Sequence, residues 1–549
     1  MNGLLISCIL IPMITAVASY VYPGTLRVRG AISVAGSLLL LVLASILLYQ
    51  VVNGGPLSNQ MGGWQAPMGI TLIADMLSAM LILVTAIVAV FVNIYAIGDV
   101  SEERVAGGFF TFMNMLIAGV VGAFLTGDLF NLYVWFEVML ISTFALLVLG
   151  GNKVQLDGAV KYVAINLIST VLLLTAIGLL YGLTGTLNMA DLSVRVPQAD
   201  NQGLVAVVAV LFLIAFGIKA AVFPLYFWLP ASYHTLPVSV TAVFAALMTK
   251  VGIYALMRTF TLIFPGEHAA INTTLLCLGL VTMVLGVFGA MTHSDIRRIL
   301  AFHVIGSIGF MLLGLGLGSE IAMGAAIFYM VHGILIKALL FMIAGIIGKL
   351  GGSFELSRLG GLYQERPGFS IVFLLAALSL IGIPPLSGFW AKVLIIDAGL
   401  HHDAAVVIVF VVVASLLTFI PLIRIWSEAF WKARPLDAQA PRTVSSQDDS
   451  MQELTDVSAV QAPVPSKNAP REDGDTSFSL KPAVPVQAGP DGYAWVPVLG
   501  LSLIMLLIGF LPGKIINMSD TAAQTLITPA AYLDTVLPSR TNPDEAQTK

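Results

Sequence analysis

The sequence predicts an all-α polytopic membrane protein with about fourteen transmembrane helices. The chain has 549 residues, of which 58% are hydrophobic and only 10% are charged, and its mean hydropathy is +0.95. A soluble protein of this length keeps about a quarter of its residues charged, because its surface must meet water. The charges here are too few to cover a globule, so most of the surface is expected to face lipid.

Mostly apolar runs long enough to cross a bilayer recur along the chain. The first begins without basic residues, so we interpret it as a spanning helix rather than as a cleavable signal peptide. A spanning helix needs about 20 such residues, and the runs lie at about 3–22, 31–52, 71–97, 108–126, 128–150, 157–184, 204–228, 236–262, 270–292, 298–318, 321–349, 369–399, 404–431 and 492–512.

Basic residues collect in the connections that follow odd-numbered segments, and Arg195 is the clear exception. The positive-inside rule then places these connections in the cytoplasm and both termini outside. The basic residues in these connections are Arg27, Arg29, Arg104, Lys153, Lys161, Arg297, Arg298, Lys349, Arg358, Arg366 and Lys432.

Residues 433–490 differ in kind from the rest, being rich in Pro, Ser, Asp, Gln and Ala and poor in aromatic residues. Such a segment buries too little apolar area to offset its ordering entropy, so a disordered cytoplasmic linker is predicted there. The remaining chain is predicted to divide into helices one to three (1–107), a first five-helix repeat (108–262), a second repeat (270–432), and a last helix with a short polar tail (491–549).

Five charged residues lie well inside the predicted helices: Glu137, Lys219, Lys250, Lys337 and Lys392. Each costs at least about 2.5–3.5 kcal/mol on insertion scales, which makes a functional role the default hypothesis. Ammonium groups are not metal ligands, so no metal site is expected. Burial allows both lysine and glutamate to exchange protons near physiological pH, and these groups are therefore predicted to handle protons.

Two histidines inside helices, His303 and His332, also titrate near neutral pH and fit either a proton relay or a hydrogen-bonded core position. Asp75 is predicted near the membrane interface. Asp128 is predicted to cap a helix rather than to pair with Glu137, because nine residues place the two on opposite faces.

One further pair of charges lies near a helix end. Arg424 and Glu428 are one helical turn apart and are predicted to form a structural pair.

Prolines break the seventh and twelfth segments. In "FGIKAAVFPLYFWLP", Pro224 follows Lys219 by five residues and removes a backbone donor. In "SLIGIPPLSGFWAK", Pro384 and Pro385 free the carbonyl of Ile381 and that of the residue before it. Free backbone groups at membrane depth occur only where they are buried in protein or line a wet cavity, and broken helices commonly build ion sites.

The two broken segments are five helices apart, and each carries one lysine. This spacing predicts two five-helix repeats, helices 4–8 and helices 9–13. Five is an odd number, so the two repeats are expected to have inverted topology.

Several separate stretches together resemble a known family. They are "GDLFNLYVWFEVMLIS", "FGIKAAVFPLYFWLPASYHTLPVSVTAVFAALMTKVGIYALMR", "HSDIRRILAFHVIGSIGFM", "HGILIKALLFMIAG" and "GIPPLSGFWAK". The chain resembles the antiporter-like subunits, which include proton-pumping membrane subunits of respiratory complex I and large subunits of Mrp-type Na+/H+ antiporters. It looks most like the D subunits of the Mrp branch, because the twelfth segment ends in Lys392 and a long C-terminal extension is lacking.

The resemblance implies a role for each site residue. Glu137 and Lys219 correspond to a charge pair whose strength is modulated, and protons are expected to enter near Lys250. Many relatives have histidine directly after "LPxA", where this chain has Tyr233 followed by His234. The implied hydrated row consists of Lys219, Lys250, Lys337, His332 and Lys392, with His303 as a possible addition.

The implied function is proton translocation in a multisubunit Na+ (or K+)/H+ antiporter of a bacterial cell membrane. Partners are then the other Mrp subunits, membrane lipid and the transported ions, with no nucleic acid. The two cysteines form no CxxC or Cys/His cluster, so no cofactor or disulfide is expected. The alternative is a pump subunit of a complex I-like NADH:quinone oxidoreductase or a membrane hydrogenase. A scaffold without an ion path is disfavoured, because it has no need for charges at membrane depth.

Overall fold

A computed structural model of the protein describes residues 3–22, 24–264, 269–435 and 492–537. Within these residues, 12 helices are long and apolar enough to cross a membrane. Two shorter apolar helices, Phe109–Leu125 and Pro367–Ile381, complete the fourteen predicted segments. The all-α polytopic fold is therefore confirmed. The predicted linker lies outside the described residues from position 436 onward.

The first spanning helices are α1 (Gly3–Val21), α2 (Leu26–Gly54) and α3 (Met76–Asp99). An antiparallel hairpin of β1 (Leu57–Gln60) and β2 (Thr71–Ala74) connects α2 to α3, with Leu57 opposite Ala74. The short α4 (Glu102–Ala106) follows α3.

Two sets of helices make up the centre of the chain. The first set contains α5 (Phe109–Leu125), α6 (Leu129–Val148), α7 (Lys153–Thr184), the short α8 (Met189–Arg195), the broken pair α9 (Gln202–Ala220) and α10 (Trp228–Tyr233), and a last helix built from α11 (Val238–Val243) and α12 (Thr249–Arg258). The second set contains α13 (Ala269–Thr292), α14 (Ile296–Leu317), α15 (Glu320–Gly351), the short α16 (Leu362–Glu365), the broken pair α17 (Pro367–Ile381) and α18 (Ser387–His401), and α19 (Ala405–Leu417) with α20 (Phe419–Ile425).

The two sets match position by position. Helices α7 and α15 each have 32 residues, and their first residues, 153 and 320, are 167 positions apart. The same separation relates Asp128 to Asp295, which cap α6 and α14 through backbone N–H groups. It also relates their β-bridge partners, Asn188 and Glu355. The predicted role of Asp128 as a helix cap is thereby confirmed.

Both broken helices end in a residue with left-handed backbone. Ala221 follows α9 with φ of 60°, and Gly382 follows α17 with φ of 92°. These residues are 161 positions apart and occupy equivalent places in the two sets. The chain thus contains two five-helix repeats, each with one broken helix, and the odd number of helices inverts one repeat relative to the other.

Burial separates inner helices from outer ones. The most apolar window of α15 is 100% buried, and those of α14 and of the helix from Val238 to Ile263 are each 94% buried. The corresponding window of α2 is only 28% buried, as expected for a helix that faces lipid. The ionisable side chains of Lys250 on α12, His303 on α14 and Lys337 on α15 are therefore enclosed by protein.

The C-terminal tail is structured, although only a short polar segment was expected from the sequence. After α21 (Gly492–Phe510), the chain forms α22 (Gly513–Ile527) and α23 (Ala530–Val536). Helix α22 packs on α15 and α3 through one apolar face, and Tyr532 of α23 is buried. Ser58 of the hairpin donates a hydrogen bond of 2.9 Å to the Thr535 carbonyl. The amphipathic period of α22, rather than its mean polarity, was the available signal.

The two break residues predict opposite responses to substitution. A non-glycine residue in the left-handed region costs about 1–2 kcal/mol, so Ala221→Gly is expected to leave the thermal midpoint unchanged or raised. Gly382→Ala is expected to lower the free energy of unfolding by about 1 kcal/mol or more. Thermal unfolding of the purified assembly in detergent measures both.

Gly178→Ala on α7 is the matched control, because no atom lies within 4 Å of the added methyl group. A Gly382→Ala protein as stable as this control would contradict the assigned backbone strain.

Candidate functional site

The candidate lysines and histidines all lie in the protein interior. None is more than 6% exposed, and they are carried by α9, α12, α14, α15 and α18. Glu137 on α6 is the exception, being only partly buried. The residues are Lys219, Lys250, His303, His332, Lys337 and Lys392.

Glu137 is held by a neighbouring helix. Thr170 of α7 donates its hydroxyl to Glu137 Oε1 at 2.7 Å. A hydrogen bond to a carboxylate is stronger than one between neutral groups, so Thr170 fixes the direction of this carboxylate. Thr170 was not predicted, because threonine is common in these helices and no motif marks it.

Lys219 lies in the last turn of α9, next to the break. Its ammonium sits over the ring of Phe136, 4.7 Å from the centroid, in a cation–π contact. The charge of Glu137 acts on Lys219, yet the ion pairs within 4.0 Å among the described residues do not include these two. In this structure the Glu137 carboxylate is thus hydrogen-bonded to Thr170, while the Lys219 ammonium contacts the ring of Phe136.

A small cavity lies beside Lys219 and extends toward the helix that carries Lys250. The close approach of Gly252 to Ala220 brings the backbones of α12 and α9 together at this level, because a methyl group on Gly252 would lie 2.7 Å from the Ala220 nitrogen. The cavity is lined by Phe136, Met139, Leu140, Tyr162, Asn166, Lys219, Trp228 and Met248.

Lys250 is bound to the backbone of its own helix. A π-helical segment, Phe244–Met248, separates α11 from α12, and Lys250 Nζ donates to the Ala245 carbonyl at 2.6 Å. A π segment shifts the backbone ladder from i−4 to i−5 and leaves carbonyls incompletely paired. The lysine ammonium is thus paired with a carbonyl of the π segment in its own helix.

Helix α15 of the second set packs against α11 of the first. Lys250 Cε lies 3.9 Å from where a Cβ on Gly333 would stand, so the lysine stem packs against α15 at this position. Lys337 follows one turn later and is fully buried. Its Nζ has no hydrogen-bond partner among the described residues, and the charges of Lys250 and Lys392 both act on it. An unpaired ammonium is costly there, and loss of the proton or entry of water relieves that cost.

The break between α17 and α18 holds a second cluster. His332 Nδ1 and Ser387 Oγ are 3.1 Å apart, and Ser387 Oγ and Ser379 Oγ are 3.0 Å apart. Lys392 Nζ donates to the Ile381 carbonyl at 2.6 Å. The prediction that the prolines free this carbonyl is confirmed, because the carbonyl accepts a hydrogen bond from the lysine ammonium instead. Ser379 and Ser387 were not predicted.

His303 lies on α14 and is 4% exposed. Its Nε2 lacks a hydrogen-bond partner within the described part of the chain, and the charges of Lys337 and Lys392 act on it. His332, by contrast, is hydrogen-bonded as described above. Both histidines therefore adjoin the lysine row.

A buried ion pair at one end of the bundle was not predicted from the sequence. Asp75 caps α3 by accepting the Ser78 N–H at 2.9 Å, and its other oxygen lies 2.5 Å from Arg258 Nη2. Asp75 is fully buried by protein, whereas the sequence placed it at the membrane interface. The opposite charges at the start of segment three and the end of segment eight were the available signal.

The predicted pairing of Arg424 with Glu428 is wrong. Arg424 donates to the carbonyl of His293 at 3.2 Å and to that of Met291 at 3.4 Å. Glu428 instead pairs with Lys432 at 2.8 Å. Arg424 thus binds backbone carbonyls, and Glu428 forms an ion pair with a lysine on its own helix. Both contacts lie outside the lysine row.

His234 lies outside the candidate membrane spans and bridges two helices. Its Nδ1 lies 2.9 Å from the Pro230 carbonyl, and its Nε2 lies 3.0 Å from Arg298 Nη2. Burial and the Arg298 charge lower the pKa of His234. A neutral imidazole accepts from the guanidinium, so His234 ties α10 to α14.

The sequence and the fold match known proteins. Residues 126–418 match the family described as "NADH:quinone oxidoreductase/Mrp antiporter, TM". The chain is 42% identical over 436 residues to the D subunit of the Na(+)/H(+) antiporter of Alkalihalophilus pseudofirmus, covering 78% of this chain and 87% of that one.

Two solved structures share the fold. A chain of the Mrp complex from Dietzia sp. matches with a TM-score of 0.84 at 30% identity, covering 98% of this chain and 100% of that chain. A chain of the archaeal membrane-bound sulfane sulfur reductase, a respiratory membrane complex, matches with a TM-score of 0.82 at 24% identity, covering 98% of this chain and 99% of that chain. The latter likeness concerns the fold alone.

The packing at the second break predicts a severe effect of Gly388→Ala. A methyl group on Gly388 would clash with the Ser379 carbonyl oxygen and stand 3.2 Å from His332 Cε1. The substitution is expected to force α17 and α18 apart and to lower the stability of the assembly by about 1–3 kcal/mol. Thermal unfolding of the purified assembly measures this loss, with Gly182→Ala on open α7 surface as the control. Equal stability of both variants would contradict the close contact.

Proposed function

The chain belongs to the NADH:quinone oxidoreductase/Mrp antiporter family, and on this premise we propose that it is the proton-translocating subunit of a multisubunit Na+ (or K+)/H+ antiporter. The observation that carries the proposal is the row of buried lysines and histidines that runs from the first broken helix to the second. The relatives named as D subunits of Na(+)/H(+) antiporters favour secondary transport over the respiratory branch of the family. Transport is then driven by the proton gradient and exports the cation.

Protons enter near Lys250 and move along the row by exchange between neighbouring amines, imidazoles and water. The contact of Lys250 with Gly333 leads to α15, where Lys337 has no fixed acceptor among the described residues. Beyond it, the Ile381 carbonyl and the Ser387 hydroxyl hold Lys392 and His332 at the second break. Each bond to a backbone carbonyl stabilises a protonated lysine, and its rupture favours release of the proton.

Glu137 and Lys219 act as a switch at the other end of the row. A carboxylate within about 4–6 Å of an amine favours the protonated amine, and its withdrawal favours release. The contacts of Glu137 with Thr170 and of Lys219 with Phe136 support an arrangement in which the two are withdrawn from each other. The break after Ala220 supplies the freedom that Lys219 needs to move.

The exposed face of α6 supports a contact with another subunit of the antiporter. Phe130, Val134, Ile141 and Phe144 are exposed and share the helical face of the partly buried Glu137. An acidic side chain on a lipid-facing surface is costly, so a neighbouring subunit covers this face in the assembly.

Orientation and domain limits complete the proposal. The charge pattern supports outside termini and cytoplasmic connections after odd-numbered segments. We assign residues 108–262 and 270–432 to the two repeats.

Substitution of the switch residues is expected to abolish transport. Glu137→Gln removes the charge that holds the proton on Lys219, and Lys219→Ala removes its carrier. Each is expected to reduce Na+-dependent proton movement in everted vesicles at least about a hundredfold, the lower end of the range for loss of a positioned proton-transfer group.

Lys161→Ala is the control for the switch variants, because Lys161 is an exposed α7 lysine paired only with the exposed Asp157 among the described residues. Near wild-type exchange in Glu137→Gln or Lys219→Ala vesicles would overturn the proposed role of this pair. Exchange that requires NADH would favour the respiratory alternative.

A photo-crosslinking amino acid at Ile141, which is 65% exposed, tests the α6 contact. In the intact complex it is expected to form an adduct with another antiporter subunit, identified by mass spectrometry. The same chain expressed without the other subunits is expected to give no such adduct. Adducts with lipid only, in the assembled complex, would show that the face is not covered.

A further inference from the structure

The helix that carries Lys250 is divided by two π-helical segments. The first, Phe244–Met248, lies before α12, and the second, Thr259–Ile263, lies after it. The backbone ladder changes register at each π segment. The ten-residue α12 is therefore positioned, both in its rotation and along its axis, more by contacts at its ends than by regular backbone hydrogen bonds to the neighbouring helical segments.

Helix α3 holds the beginning of this divided helix. Asp99, the last residue of α3, accepts the backbone N–H of Ser239 and its hydroxyl, both at 2.9 Å, through the same carboxylate oxygen. Ser239 lies in the first turn of α11, where free N–H groups favour a negative charge. The carboxylate of one helix thus anchors the first turn of the next.

Helix α3 also holds the opposite end. Asp75, immediately before α3, binds Arg258, the last residue of α12. Ser78 Oγ stands 3.4 Å from the same guanidinium nitrogen. Asp75 and Asp99, at the two ends of α3, thus bind the divided helix before and after Lys250.

Aromatic groups seal the Asp75–Arg258 pair. The guanidinium carbon lies 5.5 Å from the ring centroid of Tyr254 and 5.1 Å from that of Tyr532. Tyr254 also donates to the Phe124 carbonyl at 3.0 Å. All of these side chains are buried. Water therefore offers the pair little competition, and the structured C-terminal segment closes it off.

We propose that α3 is a clamp that sets the position of α12, and that Asp75 and Arg258 are positioning residues for Lys250. Lys250 and Arg258 are eight residues apart on one helix, about 12 Å along its axis. With Arg258 fixed, the helix presents Lys250 Nζ to the Ala245 carbonyl and its stem to Gly333. The proposal rests on the proposed function, because its readout is transport through Lys250.

Within the described ranges of the chain, few charged or titratable groups act on Lys250 and Arg258. The charge of Lys337 on α15 faces Lys250. Asp75 on α3, Tyr254 on α12 and Tyr532 on α23 face Arg258. A change confined to Asp75 thus reaches Lys250 through the position of α12.

Asp75→Asn tests the clamp in the whole antiporter complex. Asparagine caps a helix about as well as aspartate, so the cap of α3 is retained while the charge is lost. The variant is expected to slow Na+/H+ exchange by up to about a hundredfold, the cost of misplacing a reacting group by about 1 Å, and to shift the pH optimum measurably. The amount of assembled complex, measured on native gels, is expected to stay unchanged.

Asp128→Asn is the matched control. Asp128 is likewise a buried cap, of α6, and no arginine pairs with it in the described part of the chain. Its variant is expected to keep the wild-type rate and pH optimum. A shift of the optimum in Asp75→Asn alone supports positioning, because a purely structural defect lowers the rate by the same factor at every pH.

Two results would overturn the clamp. One is an Asp75→Asn complex with wild-type rate and pH optimum. The other is a uniform loss of rate at every pH. If Asp75→Asn fails to assemble, Asp75→Glu decides, because it keeps the charge but displaces Arg258 by one methylene; an unchanged pH optimum in this variant overturns the proposal. Failure of the wild-type complex to exchange Na+ for H+ would instead contradict the proposed function.

Discussion

A lysine buried in a membrane helix needs an acceptor, and the carbonyls of a regular helix already accept one backbone hydrogen bond each. The chain meets this constraint twice by the same means. Lys250 takes the Ala245 carbonyl at a π segment, and Lys392 takes the Ile381 carbonyl at a broken helix. The irregular places in the backbone therefore determine where an ammonium can rest. Lys337 lies on the unbroken α15, and its ammonium has no such acceptor among the described residues. It is therefore the lysine of the row whose protonated form is stabilised least by hydrogen bonds.

Irregular helices need firm neighbours, because each break removes backbone hydrogen bonds that would otherwise fix the geometry. Here α15 runs unbroken through the second repeat and packs against α11 of the first, and α3 holds the divided helix at both ends through Asp75 and Asp99. At the first break, Trp228 Nε1 donates to the Ile218 carbonyl at 3.0 Å and ties α10 back to α9. The bundle thus combines regular helices with a few irregular places where backbone carbonyls accept hydrogen bonds from the lysines.

How much of this the sequence predicts depends on whether a feature is local. The broken helices follow from Pro224 and Pro385, and the carbonyl freed at Ile381 follows from Pro385, which has no N–H to donate four residues later. The π segments carry no such mark, because "FAALM" contains neither proline nor glycine. Contacts between distant segments, such as Asp75 with Arg258, require the fold. Glu428 pairs with Lys432 rather than Arg424 although both orders satisfy helical spacing, and only packing distinguishes them.

Comparison of equivalent positions shows how the two repeats diverge. At a separation of 167 residues, the Thr170 that holds Glu137 corresponds to Lys337, and Phe136, under Lys219, corresponds to His303. Glu137 itself corresponds to Val304. One repeat thus places a carboxylate, a hydroxyl and an aromatic ring where the other places an apolar side chain, an amine and an imidazole. In the proposed mechanism the first repeat draws a proton onto Lys219 by the charge of Glu137. The buried histidine and charged side chains in the described part of the second repeat are all bases, namely His303, His332, Lys337 and Lys392. In the proposed mechanism this asymmetry, built on one repeated scaffold, separates the switch from the path it controls.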